Sequence, residues 1–332
     1  MKNLTTATLA TLISGLSLGQ AVAAPSETMR CAHQFPPTHS LAVVIDKWAS
    51  EIETLSDGDI DVQVFPANSL VSDKENIPAV AKGDIECAFA LNFAWGRTLP
   101  AMLVTTAPFT FGDLDVWRKW PDSKAAAFLE DRLLDKGLKN VTWLFQTNTS
   151  VFTSNDKFLK SPDDFKGIKI RGLVPPFNAG LEKMGASPVS MSGGEVYQAL
   201  STGVIDAALT DIAAAVSRKY YEVQDHMSVV PVISVYAHGF VNPKWYDGLS
   251  AKNQDALSKA GHMAAIWAVD ESGAAVADAP AQLEAQGVKL HWTTPQEQQA
   301  MADVMLPAFN ESFGKWAGED SEELVKLVQE LK

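Results

Sequence analysis

The chain lacks most of what would mark it as an enzyme or a nucleic-acid protein. Only two of its 332 residues are cysteine, Cys31 and Cys87, too few for a disulfide scaffold and without metal-site spacing. The six histidines, at 33, 39, 226, 238, 262 and 291, show no paired ligand spacing. No G-x-G-x-x-G follows a strand pattern, and neither G-x-x-x-x-G-K-S/T nor H-E-x-x-H occurs, so no cofactor is expected. The one G-x-S-x-G, Gly15 to Gly19, falls in an N-terminal export segment and is discarded with it. Basic residues are also short: 27 Lys and Arg face 40 Asp and Glu, a net charge of −13. Such a surface disfavours nucleic acid and anionic lipid as partners, yet leaves room for a local basic pocket around a small anion.

What is present begins with that export segment. Lys2 precedes an uncharged, moderately apolar stretch, Leu4 to Ala24, ending in the A-x-A signature Ala21-Val22-Ala23. Residues 1–23 therefore read as a signal peptide, and the protein as periplasmic. Thr5, Thr6, Thr8, Thr11 and Ser14 dilute the segment below what a membrane anchor needs, and no later apolar run is long enough to cross a bilayer, so no direct membrane insertion is expected. The remaining 309 of the 332 residues suffice for about two domains. In an exported protein Cys31 and Cys87, both on expected strands of one sheet, could pair or remain as buried thiols.

The densest stretch is Ser161 to Asp211. Ile168 to Ile170 reads as a strand, Pro175-Pro176 as the loop that follows, and Phe177 to Met184 as a helix stopped by Gly185. Pro188 to Met191 is a second short strand. Ser192-Gly193-Gly194-Glu195 has the S-x-x-E spacing that opens a helix, here to about Thr202, and Val204 to Leu209 is a third strand. The order βαβαβ implies a parallel sheet. The N-terminal third repeats it: a strand from Met29 to His33, an amphipathic helix from Ser40 to Leu55, a strand from Ile60 to Phe65, a helix from Glu75 to Lys82 and a strand from Ile85 to Leu91. Ala79 to Ala88 aligns with Ala199 to Ala208, sharing alanine, glycine, isoleucine and an acid in register.

Two such lobes predict an α/β, two-lobed fold, each lobe a mostly parallel sheet flanked by helices, with a cleft at the C-terminal strand ends. A long helix from Ser250 to about Ala285, kinked near Pro280, would span both lobes. The expected division is 24–150 with about 239–275 for the first lobe, and 151–238 with about 276–332 for the second. The chain should cross near Val151 and again between Tyr236 and Phe240.

At those strand ends lie the candidate ligand residues. Arg171 offers a planar fork of donors suited to a carboxylate, against the alternative of a structural ion pair. His33 ends the first strand of the other lobe and could donate to a ligand oxygen, or serve as a structural histidine. Asn92 and Phe93 follow the third strand. Phe35, Trp95 and Tyr236 could wall a pocket, with core packing as the competing reading. Asp211 could accept from a hydroxyl or an amine. Lys74 and Arg97 are second-charge candidates.

The runs Lys166-Gly167-Ile168-Lys169-Ile170-Arg171, Met184-Gly185-Ala186-Ser187-Pro188-Val189, Glu195-Val196-Tyr197-Gln198-Ala199-Leu200 and Gly203-Val204-Ile205-Asp206 resemble the solute-binding subunits of TRAP transporters, of the C4-dicarboxylate-binding DctP type. Ala32-His33, Ala79 to Ile85, Pro108-Phe109, Tyr221-Glu222-Val223 and the long late helix sit in the same order. The resemblance implies a periplasmic binding-protein fold and a non-enzymatic receptor that closes on one small organic solute and hands it to membrane permease subunits. It also implies that Arg171 grips a carboxylate. Ala207 and Asp211 depart from the glycine and asparagine common there, which makes a dicarboxylate less expected than its frequency among such subunits suggests and keeps open a hydroxy acid, an amino-bearing solute or a small amine held through Asp211. A periplasmic enzyme or a sensor subunit on the same scaffold are the competing classes.

Overall fold

The computed structural model describes residues 24–112 and 114–331. The expected signal peptide, 1–23, lies outside them. Eleven strands run in chain order as β1 (Glu27–Ala32), β2 (Ile60–Phe65), β3 (Cys87–Leu91), β4 (Lys139–Thr147), β5 (Ser150–Ser154), β6 (Lys169–Gly172), β7 (Ser187–Ser190), β8 (Ala207–Asp211), β9 (His226–Val230), β10 (Val235–Val241) and β11 (Lys289–Trp292). They form two sheets, ordered β2-β1-β3-β10-β4 and β11-β9-β5-β8-β6-β7.

The repeat read from the sequence survives as topology. β1 pairs in parallel with β2 and β3, and β6 with β7 and β8. In both sheets the next strand is antiparallel, β10 on β3 and β5 on β8. Each antiparallel strand is the first one after a crossing between the sheets, at 148–149 between β4 and β5 and at 231–234 between β9 and β10. The second crossing therefore precedes the expected one: Val235 to Val241 already pairs with β3 and β4 in the first sheet.

The first helix, Ser40–Leu55, buries Leu41, Val44, Ile45, Trp48 and Ile52 on one face, and His39 caps it by accepting from the Leu41 N–H at 3.1 Å. The long helix, Ala251–Ala285, starts at Ser250, whose hydroxyl accepts from the Asn253 N–H, and carries Pro280 inside it. It packs on the first helix and β4 on one side of the crossings, and on the Ile212–Ser217 helix and β11 on the other. Gly261 makes this possible, because a Cβ there would collide with the Val141 carbonyl oxygen of β4. The Thr142 hydroxyl donates to the Gly261 carbonyl at 2.7 Å.

The C-terminal helices do not follow the expected division. Pro295–Ala317 packs on Pro175–Lys183 of the second lobe, but also on the Pro100–Thr106 turn of the first. Asp320–Gln329 packs on that same turn and on helix Lys124–Leu134. Buried Leu324, Leu327 and Val328 drive this docking, and Arg132 holds Asp320 through two nitrogens at 2.8 and 3.0 Å. The tail thus braces the first lobe. Cys31 and Cys87 face each other across β1 and β3, Cα atoms 4.4 Å apart, and are joined as a disulfide.

Candidate functional site

Between the sheets, at the C-terminal strand ends, opens a cavity of about 430 Å³ counted out to its mouth. The first lobe contributes Gln34, Leu91, Phe93, Gln146 and Val235; the second contributes Ser150, Arg171, Leu173, Gly193, Thr210, Asp211 and Arg218.

Arg171 sits on β6 with 4% of its surface exposed. One guanidinium nitrogen donates to the Leu209 carbonyl at 2.7 Å, and Nε reaches the Met191 carbonyl at 3.4 Å. Among the described residues no carboxylate pairs with it. Burial pulls its pKa down to about 10, with Arg218 adding to the fall and Tyr220 opposing it, so it remains charged at neutral pH. A buried, unpaired cation facing a cavity lacks its counter-ion.

Asp211 lines the same cavity, but its oxygens are engaged. Oδ1 accepts from the Ala213 and Ala214 N–H groups at 2.6 and 3.0 Å, capping the helix Ile212–Ser217, while Oδ2 accepts from Gln146 Nε2 at 3.2 Å. Burial raises its pKa and these three donors oppose the rise. An isolated acceptor for a ligand amine is not what the geometry provides.

The first-lobe candidates mostly turn inward. Phe93 lines the cavity; His33, Asn92, Trp95, Tyr236 and Phe35 do not. His33 Nδ1 accepts from the Phe35 N–H at 3.2 Å, and burial pulls its pKa down to about 4. Asn92 donates to the Thr105 hydroxyl at 2.9 Å and to the Ser234 carbonyl at 3.2 Å, tying its loop to the second crossing. Trp95 is fully buried against His238 and Phe240. Tyr236 lies among Trp117, Trp120 and Trp143, and Phe35 packs on His39. Tyr236 and Trp95 are core because β10 inserts between β3 and β4, carrying Tyr236 inside the sheet and presenting His238 and Phe240 to Trp95. Lys74 reaches Glu195 of the other lobe at 3.3 Å, and Arg97 is not among the cavity residues.

Sequence reasoning missed Arg218, Gln146, Gln34 and Gly193. Arg218 follows a helix of six residues, Ile212–Ser217, too short for its periodicity to stand out. Gln146 is the penultimate residue of β4, a largely buried strand outside both βαβαβ repeats. Gly193 was legible only as part of a helix start.

Two sheets joined by double crossings, a bracing helix and a cation-lined cleft define a two-lobed receptor for a small solute. The chain belongs to the DctP family, bacterial extracellular solute-binding protein family 7, whose pattern matches residues 31–315. It is 30% identical over 258 residues to the 2,3-diketo-L-gulonate-binding periplasmic protein YiaO of Escherichia coli, covering 75% of this chain and 76% of that one. It is 28% identical over 312 residues to the C4-dicarboxylate-binding periplasmic protein DctP of Rhodobacter capsulatus, covering 90% of each. Its fold matches a TRAP periplasmic solute-binding protein of Desulfovibrio salexigens, crystallised with orotic acid, at a TM-score of 0.87 and 22% identity, over 92% of this chain and 98% of that one. These relatives are solute receptors, not enzymes.

Proposed function

We propose that this chain is the exported receptor of a TRAP transporter, which captures a small organic acid by its carboxylate on Arg171 and delivers it to the membrane permease subunits. The observation that carries the reading is the Arg171 guanidinium: buried, positively charged, bonded among the described residues only to two backbone carbonyls, and facing the interlobe cavity. A carboxylate in the closed cleft would form charge-assisted hydrogen bonds strengthened by the exclusion of water. Because that bond strengthens when closure excludes water, ligand binding would favour the closed form. The relatives' ligands support the class, since 2,3-diketo-L-gulonate, C4-dicarboxylates and orotic acid all carry a carboxylate. Residues 1–23 supply the export address, and the DctP family is periplasmic.

A thermal-shift screen of organic acids tests this, since a ligand that binds only the native state raises the melting temperature. In calorimetry with the tightest acid, Arg171→Ala should weaken binding by on the order of a hundredfold or more while the fold is kept. Unchanged affinity in that variant would sink the role given to Arg171.

A further inference from the structure

Arg218 also presents its guanidinium to the cavity, half-buried, and among the described residues it has no hydrogen-bond or ion-pair partner. Its position depends on Gly193. A Cβ on Gly193 would stand 2.5 Å from one terminal nitrogen of Arg218, 2.6 Å from Cζ and 2.7 Å from the other nitrogen, far inside contact distance. The guanidinium therefore lies flat on the bare backbone of residue 193. Tyr220, buried beneath, donates its hydroxyl to the Gly193 carbonyl at 3.3 Å and fixes that backbone from the other side. Opposite, Gln146 is 6% exposed and lines the same cavity. Its Nε2 donates to Asp211, which sets the orientation of the amide, and its Oε1 is buried with no donor. A buried acceptor without a donor is costly, and a ligand hydroxyl is the group that would satisfy it.

The charges set a second condition. Two arginines and Asp211 are the charged residues among those lining the cavity. Burial pushes the Asp211 carboxyl up while three N–H donors favour its ionised form; in that form the lining carries a net charge of one positive unit. One ligand carboxylate neutralises it, whereas a second would leave a buried excess of negative charge.

We infer that the cleft is built for a hydroxylated monocarboxylate, with Arg218, seated on Gly193, as a second cation on its oxygens, and Gln146 Oε1 as the acceptor of its hydroxyl. This rests on the assignment of the carboxylate to Arg171. It goes beyond that assignment by fixing the ligand's charge and its second functional group.

The experiment compares acids in matched sets by thermal shift and calorimetry: propionate against lactate and glycerate, succinate against malate, and gluconate and glucuronate as polyhydroxylated monoacids. Wild type should bind the hydroxylated monocarboxylates most tightly. Arg218→Gln should weaken these acids by roughly ten- to a hundredfold, the range for losing a charged hydrogen bond. Gly193→Ala should do the same, and the double variant should be no weaker than Arg218→Gln alone, because the glycine acts through the arginine. Gln146→Leu should weaken the hydroxylated member of each set more than its unsubstituted partner, so that the preference within each set is lost. The inference is overturned if succinate binds more tightly than the hydroxylated monoacids, or if Arg218→Gln and Gln146→Leu keep the wild-type profile while Arg171→Ala loses it. If Arg171→Ala also retains its affinity, or no acid shifts the wild-type melting temperature, the carboxylate reading itself fails.

Discussion

The two lobes share a strand order and differ in what they place at the strand ends. In register, Cys31 faces Cys87 and Ala32 faces Ala88, while Ile170 faces Ala207 and Arg171 faces Ala208. Since Ala79 to Ala88 aligns with Ala199 to Ala208, the counterpart of Arg171 in the first lobe is Ala32, not His33. The cysteine before it is tied into a disulfide, where the second lobe has an isoleucine. The helix starts differ in the same sense. Ser72-Asp73-Lys74-Glu75 and Ser192-Gly193-Gly194-Glu195 are equivalent, but only the second has the glycine on which an arginine can lie. One lobe is locked and inward-facing, and the other carries the charges. On the proposed function, a duplicated framework divides the work, with the first lobe as a wall and the second as the grip.

Removing the lock is the strongest way to break that comparison. The disulfide closes a separation of 56 residues between two adjacent central strands of the first sheet. Replacing both cysteines with alanine should lower stability by about 2–4 kcal/mol, read by denaturant unfolding. Neither cysteine lines the cavity, so the affinity for an acid should not move. If affinity fell as far as it does in Arg171→Ala, the first lobe would be part of the grip and the contrast would be lost.

The framework was legible in the sequence because its signals are local. Helix Ser40–Leu55 and strand Ile60–Phe65 were read to the residue, since periodicity and alternation are written in adjacent positions. The long helix, Ala251–Ala285, could be read from its cap at Ser250 and the glycine that follows it at Gly287. What escaped depends on partners distant in the chain. That Tyr236 and Trp95 are core follows from β10 inserting between β3 and β4, a pairing across roughly a hundred residues or more that no local pattern encodes. Arg171 could be singled out because a strand end is a local feature. Arg218 could not, because its contact with Gly193 joins two separate elements. Asp211 was seen as a free acid, although the helix that follows it uses that carboxylate as a cap.

His33 offers a smaller contrast with Arg171, through pH. Its pKa falls from the usual 6.5 to about 4, chiefly through burial, so the unfolded chain binds a proton that the folded chain resists. The resulting stability is present in full above about pH 6.5 and is lost as the pH falls through about 4. His39 and His238, each pulled down to about 3, act in the same direction. His33→Gln should therefore flatten part of the stability profile between those limits, measured as denaturation midpoints at stepped pH. Acid affinity at a given temperature should stay level from roughly pH 6 to 8, since Arg171 titrates far above that window. A binding curve that tracks His33 would falsify its placement outside the cleft.

The smallest expected effect lies at the cleft mouth, where the lobes touch through charge. Lys74 Nζ stands 3.3 Å from Glu195 Oε1, with the two side chains 69% and 53% exposed. Glu195 owes its lowered pKa first to the Ser192 N–H of its own lobe and only second to Lys74, so the carboxylate is already placed without its partner. Water competes for both ends of such a pair, and two long side chains must be ordered to form it. Lys74→Ala should thus weaken acid binding by less than about fivefold at low salt. The difference should vanish at roughly 0.5 M salt, where the screening length has fallen to a few ångströms. Lys74 lies at the position equivalent to Gly194, so at this contact the first lobe holds a positive charge that the second lacks. A loss above tenfold that persists in high salt would show that closure depends on a bond between the lobes themselves, and the grip would then be shared.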